Sequence, residues 1–291
     1  MPFAYDPPVF RPPSEAGSLI LQVTLGCSHN ACTFCSMYRT KQFRARPLEE
    51  LRAEIAEARR LLGPGVRRVF LADGDAMCLS AGRLTAVLDA LAEAFPRLRR
   101  VGIYANARDL LRKRDDELAA LVARRLGIVY LGLESGDDET LAAVEKGATA
   151  QEIVDAARRA RAAGLSTSVM VLVGLAGVAR SLEHARRSAD AISRMEPSFT
   201  ALLTYTPTPG SPLAGRVARG EVALPDAAGS LREIRAFVER VECQTYFTCN
   251  HASNWLPLAG RLPAARRDLL RTLDAALAGR VALKPAPLRG L

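Results

Sequence analysis

No stretch of this 291-residue sequence stays apolar for the length of a membrane span. Its opening residues, "MPFAYDPPVFRPPSEAGS", are proline-rich and lack the basic-then-apolar order of a secretory signal. Lysine is scarce, four against 36 arginines, and aromatic residues reach only 5 %, so no stacking platform for single-stranded nucleic acid is evident. There is no repeat of solenoid type and no low-complexity tract. What remains has the balance of a soluble globular protein, 49 % apolar and 24 % charged. The length suits one large domain, or one domain with a small appendage. A cytoplasmic location, reduced thiols and no membrane partner are the expectations.

The net charge of +9 has the sign that a nucleic acid would require. Its arginines, however, fall mostly in scattered pairs on helical stretches (Arg59-Arg60, Arg124-Arg125, Arg158-Arg159, Arg186-Arg187). Dispersed pairs read as a solvated surface.

Short β-branched runs alternate with amphipathic helical stretches. Strands are expected at 18–25, 66–73, 100–107, 127–135, 165–175 and 197–207. Helices are expected at 47–62, 81–95, 115–126, across 137–163, and at 181–195. Six strands separated by helices imply an α/β fold with parallel pairing and right-handed crossovers. Ligands of such folds collect in the loops after the strands, on one rim. The unusual residues fall there: a cysteine loop after strand one, Asp73-Gly74-Asp75 after strand two, and Asn106 with Arg108 after strand three. Glu134-Ser135 follows strand four, Gly174 ends strand five, and "TYTPTPGSP" follows strand six. Beyond it, helices at 229–241 and 263–279 flank "ECQTYFTCNHASNWLPLAGRL", and "LKPAPLRGL" reads as a tail.

The segment "GCSHNACTFCSMY", residues 26–38, places three of the six cysteines within nine positions. Three thiolates on a strand-to-helix loop can hold three irons of a [4Fe–4S] cube and leave the fourth to a non-protein ligand. The bidentate head group of S-adenosylmethionine (SAM) is one such ligand. A structural zinc site completed by His29 or His251, and buried inert thiols, are the alternatives. Cys78, Cys243 and Cys249 are too scattered for a second cluster and read as small buried thiols. Glu134-Ser135 could equally be a helix cap, Asp73-Gly74-Asp75 a plain turn, and the His251 region a set of loop hydrogen bonds.

With Cys27, Cys32, Cys35, Phe34 and these rim residues, roughly residues 17 to 210 resemble the radical SAM superfamily. "YTPTPGSPL" resembles its branch of anaerobic coproporphyrinogen oxidases and Elp3-like enzymes. The resemblance implies a partial (β/α)₆ barrel over 18–225, preceded by a proline-rich arm over 1–17. A helical extension over 226–291 would cover the barrel mouth. It also implies reductive cleavage of SAM to a 5′-deoxyadenosyl radical that takes hydrogen from substrate. Cys27, Cys32 and Cys35 would ligate the cluster, and Phe34 would pack near the adenine. Gly74 and Asp75 would meet the methionyl amine, Glu134 and Ser135 the ribose, and Val173 and Gly174 the adenine. Asn106 joins this rim, while Tyr104, Arg108, Tyr205, His251 and Asn254 are the candidates to face substrate. Two features mark a variant: four residues rather than three between the first two cysteines, and Asp-Gly-Asp in place of Gly-Gly-Glu. The expected partners are a small-molecule substrate and an electron donor such as flavodoxin or ferredoxin. A non-catalytic cluster-bearing protein of the haem-chaperone kind is the alternative.

Overall fold

The computed structural model describes residues 5–290; residues 1–4 of the proline-rich arm and Leu291 of the tail lie outside the described residues. In chain order the first half comprises β1 (Leu19–Gln22), β2 (Thr24–Leu25), β3 (Arg44–Ala45), α1 (Leu48–Leu62), β4 (Arg68–Ala72), α2 (Ala81–Ala94), β5 (Arg100–Ala105), α3 (Ala107–Arg112), α4 (Asp115–Ala123) and β6 (Leu126–Glu134). The second half comprises α5 (Asp138–Ala143), α6 (Ala150–Ala162), β7 (Ser166–Val173), α7 (Gly177–Met195), β8 (Phe199–Thr204), α8 (Pro212–Ala218), α9 (Ala227–Arg240), β9 (Thr245–Thr248), β10 (Ala259–Leu262) and α10 (Arg266–Leu277). One sheet of eight strands runs in the order β1-β4-β5-β6-β7-β8-β9-β10. The architecture is α/β, and the sheet is parallel at every described pairing except β9 with β10. Among the described residues, no helix is long and apolar enough to cross a membrane.

The chain divides into two compact units. The first holds the residues up to Asn30, Met37–Leu131 and Arg159–Thr167. Its strands β4 and β5 are near-continuous apolar runs, Val69, Phe70, Leu71 and then Val101 and Ile103 being almost fully buried. Parallel strands covered on both faces read this way. Helix α1 presents Leu51, Ile55 and Ala58 to the core, with acids in its first turn and arginines in its last. The Ser80 hydroxyl caps α2 by accepting the Arg83 N–H.

The second unit holds Ala31–Ser36, Gly132–Arg158 and the chain from Ser168 onward. Here β7 and β8 pair in parallel, with Val173 beside Thr204. Helix α9 packs against both α7 and α10.

Four departures from the sequence expectation have local causes. The first strand splits at Val23, because Thr24-Leu25 turns away to pair antiparallel with Arg44-Ala45. The helical stretch 137–163 breaks into α5 and α6 around Gly147, which has φ 72°. Helix α7 begins at Gly177, four residues before the expected start. The region after residue 225 is not wholly helical: β9 and β10 extend the sheet, two four-residue strands too short to show periodicity.

Candidate cofactor site

The cysteine loop leaves the sheet at Gly26 (φ 76°) and is closed at its base by the β2–β3 pair. Asp73 fixes that base within the first unit. Its carboxylate accepts from Gln22 Nε2 at 3.0 Å, the Gly26 amide at 3.1 Å and Lys41 Nζ at 2.9 Å. Lys41 also donates to the Pro8 and Asp6 carbonyls, so this buried ion pair ties the proline-rich arm, the loop and the end of β4 together. Gly74 follows, with its amide on the Gly26 carbonyl at 3.1 Å. A Cβ there would come within 2.5 Å of the Tyr38 ring and 3.0 Å of Cys27 Cβ, so only glycine fits beside the first cysteine.

Asp75 turns its side chain inward. It accepts from Asn106 Nδ2 at 2.7 Å, from the Asn106 amide at 3.2 Å and from the Ser28 hydroxyl. Burial, and then the neighbouring Asp109 carboxylate, raise its pKa well above the ordinary carboxylate range. A contact from this segment to a ligand amine therefore falls to the backbone, because the carboxyl braces the residue after Cys27. Asn106 spends its amide on that brace. Arg108 is exposed, with its guanidinium 3.4 Å from Ser28 Oγ. Tyr104 packs edge-on against Phe70 and Tyr130, and burial pushes its pKa up.

The other half of the cysteine loop belongs to the second unit. The Thr33 amide donates to the Val144 carbonyl, the Thr33 carbonyl accepts from Leu213, and Ser36 Oγ donates to Thr208 Oγ1 at 2.8 Å. The loop is thus stitched to α5's end and to the turn after β8. Phe34 packs against a buried cluster of Val144, Leu175, Tyr205 and Leu213. Phe34, Tyr205 and the turn at Val173-Gly174 are therefore brought together. Tyr205 donates its amide to the Val173 carbonyl at 2.8 Å, and Gly174 adopts φ 84°.

Glu134 ends β6 in the left-handed region, φ 62°, which is rare outside glycine and recurs at functional sites. Its carboxylate accepts from Lys146 Nζ at 3.0 Å. Ser135 is fully buried, with Oγ 2.7 Å from His184 Nδ1. Asp137 caps α5 at the Thr140 amide and takes a two-pronged contact from Arg180 at 2.8 and 2.9 Å.

Asn254 reaches the carboxyl end of β8, and His251 is linked to it through Ser253. Asn254 Oδ1 accepts the Thr204 amide and hydroxyl, both at 2.9 Å, and Nδ2 donates to the Leu202 carbonyl at 2.8 Å. All of these contacts are internal, and the side chain is buried. His251 is half-buried, with Nδ1 2.9 Å from Ser253 Oγ, and burial lowers its pKa.

All six cysteines are thiols rather than disulfides, and Cys27, Cys32 and Cys35 are each part-exposed. Burial pushes the Cys78 and Cys249 thiols up to about 12, which suits inert side chains. Among the described residues, no group of three or more His, Cys, Asp and Glu side chains is gathered as a metal site. The fit of the trio to a cluster rests on donor chemistry: three accessible thiols on one short loop, beside a glycine that no other residue could replace.

The family model of the Radical SAM superfamily matches residues 21–188, more than half the chain. The chain belongs to the Radical SAM superfamily. It is a radical SAM enzyme, and its cofactors are the [4Fe–4S] cluster and SAM of that family. Enzymes of this superfamily act on substrates and need reductants. Among curated proteins it is similar to tRNA-2-methylthio-N(6)-dimethylallyladenosine synthase of Aromatoleum aromaticum, 29 % identical over 68 % of this chain and 46 % of that protein. The chain thus spans about half the length of the curated relatives it matches. Among solved structures it is similar in fold to coproporphyrinogen III oxidase (HemN) from Escherichia coli. There the TM-score is 0.58 at 19 % identity, covering 79 % of this chain and 53 % of that one. Elp3 of Methanocaldococcus infernus matches with TM-score 0.54 at 15 % identity, covering 79 % and 58 %. These are the kinds of enzyme that the "YTPTPGSPL" stretch resembles.

Sequence reasoning missed Lys41, Tyr38, His184 and Glu233. A signal existed for two of them. Ser181, His184 and Ser188 form a polar stripe on the buried face of α7, and Glu233 sits among the buried residues of α9.

Proposed function

We propose that this radical SAM enzyme abstracts hydrogen from a small-molecule substrate, with Cys27, Cys32 and Cys35 holding the cluster. The bound cluster and SAM supply reductive cleavage to methionine and the hydrogen-abstracting 5′-deoxyadenosyl radical. The chain's own residues bind and orient. Phe34 offers an apolar face to the adenine, Glu134 accepts ribose hydroxyls, and the backbones of Gly74-Asp75 and Val173-Gly174 meet the amine and the adenine edge. Arg108, Tyr104, Tyr205 and His251 are assigned to the substrate side. Asn254 serves that side by anchoring the His251 segment to β8. An external one-electron donor of the flavodoxin or ferredoxin kind completes the system.

The observation that carries the reading is the packing of Phe34, from between the second and third cysteines, against the cluster that contains Leu175 and Tyr205 beside Gly174. That arrangement joins the cysteine loop to the adenine-lining turn through one apolar surface. The small-molecule reading is favoured by the surface arginines, many of which are already met by carboxylates. Arg240 is paired with Asp190, Arg235 with Asp274, Arg124 with Asp89 and Arg114 with Asp116.

Anaerobic reconstitution followed by dithionite and SAM tests the chemistry. Formation of 5′-deoxyadenosine is expected in the wild type and not in C27A, C32A or C35A. A well-formed cluster that never yields 5′-deoxyadenosine would leave the non-catalytic reading standing. A nucleoside within tRNA is the second reading, favoured by the tRNA-modifying relatives. Deuterium transfer into 5′-deoxyadenosine from labelled tRNA, and not from a small-molecule pool, would decide for it.

A further inference from the structure

Ser135, His184 and Glu233 form a buried chain that ties two of the proposed SAM-facing turns to two helices. The Asp137 amide donates to Ser135 Oγ at 3.0 Å, and Ser135 Oγ lies 2.7 Å from His184 Nδ1. With the ring proton on Nε2, Nδ1 accepts the serine hydroxyl and Nε2 faces Glu233 Oε1 at 3.3 Å. The same Oε1 accepts the Gly174 amide at 2.7 Å, while Oε2 accepts the Ser181 hydroxyl. Ser188 Oγ completes the set by accepting the Gly136 amide at 2.8 Å.

Serine, histidine and glutamate in a row have the composition of a hydrolytic triad, but the geometry speaks against that use. Ser135, His184 and Glu233 are only 0 to 1 % exposed, and the serine oxygen is already occupied by the Asp137 amide. No substrate reaches such a hydroxyl. What the chain does touch is backbone: the Gly174 amide after β7, and residues 135–137 after β6. Glu134, at φ 62°, holds a left-handed conformation that a non-glycine residue keeps only when its surroundings over-determine it, and Gly174, at φ 84°, uses the freedom of glycine.

We propose that Glu233 and His184 are positioning residues that hold the Glu134-Ser135 and Gly174 turns in register for SAM. Glu233 lies outside residues 21–188, so the part of the chain beyond the family match supplies a support for the cofactor rim. The inference rests on the proposed assignment of Glu134 and Gly174 to SAM. Supports of this type commonly change affinity about 10–100-fold when removed.

Anaerobically reconstituted holoprotein, assayed for 5′-deoxyadenosine over a range of SAM concentrations, tests it together with amide hydrogen exchange of the protein without SAM. Glu233→Ala is expected to speed exchange across residues 174–177 about 10-fold or more while α1 is unaffected. The same variant should raise the KM for SAM about 10-fold, with kcat within about 3-fold. Glu233→Gln keeps an oxygen for the Gly174 amide and is expected to recover most of the KM. An unchanged KM in E233A, or E233Q as impaired as E233A, overturns the proposal. Should E233A fail to fold, His184→Gln takes its place, and an unchanged SAM KM there also overturns it. Glu134→Ala separates the two layers. If E134A leaves the KM unchanged, the SAM assignment of the rim fails and this inference with it. If E134A raises the KM while E233A does not, only the positioning role fails.

Discussion

Asp73 and Asp137 show how single carboxylates stabilise the cysteine loop and the segment after β6. Asp73 accepts three side-chain and backbone donors at the base of the cysteine loop, Lys41 among them. Removing one partner of a buried pair leaves the other charge without compensation. Asp73→Ala is therefore expected to cost about 3–5 kcal/mol, read as a lowered denaturation midpoint, and to reduce iron incorporation on reconstitution. Asp137 responds to pH. Burial works to raise its pKa, but the Arg180 fork and the Thr140 contacts outweigh this and hold it at about 2. Since the folded value lies below the unfolded one, its stabilisation is complete above the usual carboxylate pKa of about 3.9 and is lost as pH falls toward about 2. Thermal midpoints measured from pH 5 to 2.5 should fall more steeply for the wild type than for Asp137→Asn.

At the scale of elements, Asn254 anchors the loop between β9 and β10 to the end of β8. It accepts the Thr204 hydroxyl, donates to the Leu202 carbonyl and shares the Thr204 amide with Ser253 Oγ, so Asn254→Ala removes buried hydrogen bonds worth about 0.5–1.5 kcal/mol each. Faster proteolysis within residues 249–258 is the expected result, with the α1–α2 region protected as before. The six parallel strands and most helices were legible because period and punctuation agree: Ser80 before α2, Pro47 before α1 and Gly63 after it. Strands β9 and β10 were not legible. Four residues fix no period, and their place at the sheet edge depends on pairing with β8 and with each other.

For the whole molecule, arginine dominates the charge while much of it is paired with nearby acids on exposed faces. Such pairs contribute little, at most about 1 kcal/mol each, and are screened by salt. Raising ionic strength from about 50 to 500 mM is therefore expected to leave the denaturation midpoint nearly unchanged. Salt also discriminates between substrates. A tRNA partner would bind with an affinity that falls steeply with salt, about a thousandfold or more between 50 and 200 mM for six or more phosphate contacts. The small-molecule reading predicts no binding with that slope in a filter or anisotropy assay.

The sequence by itself determined the parallel α/β plan, the placement of the unusual residues in the loops after the strands, and the cysteine spacing that points to a cluster. These are local properties: periodicity, turn chemistry and the order of residues along one loop. Only the tertiary structure decided that Asp75 looks inward, that Phe34 and Tyr205 share one apolar cluster, and that Glu233 meets the Gly174 amide across 59 residues of chain. Side-chain direction and long-range partners follow from which faces the packing buries, and no spacing along the chain encodes them. The three cysteines first marked the site; the residues that brace their loop, Asp73, Lys41 and Asp75, became visible only once the chain was folded.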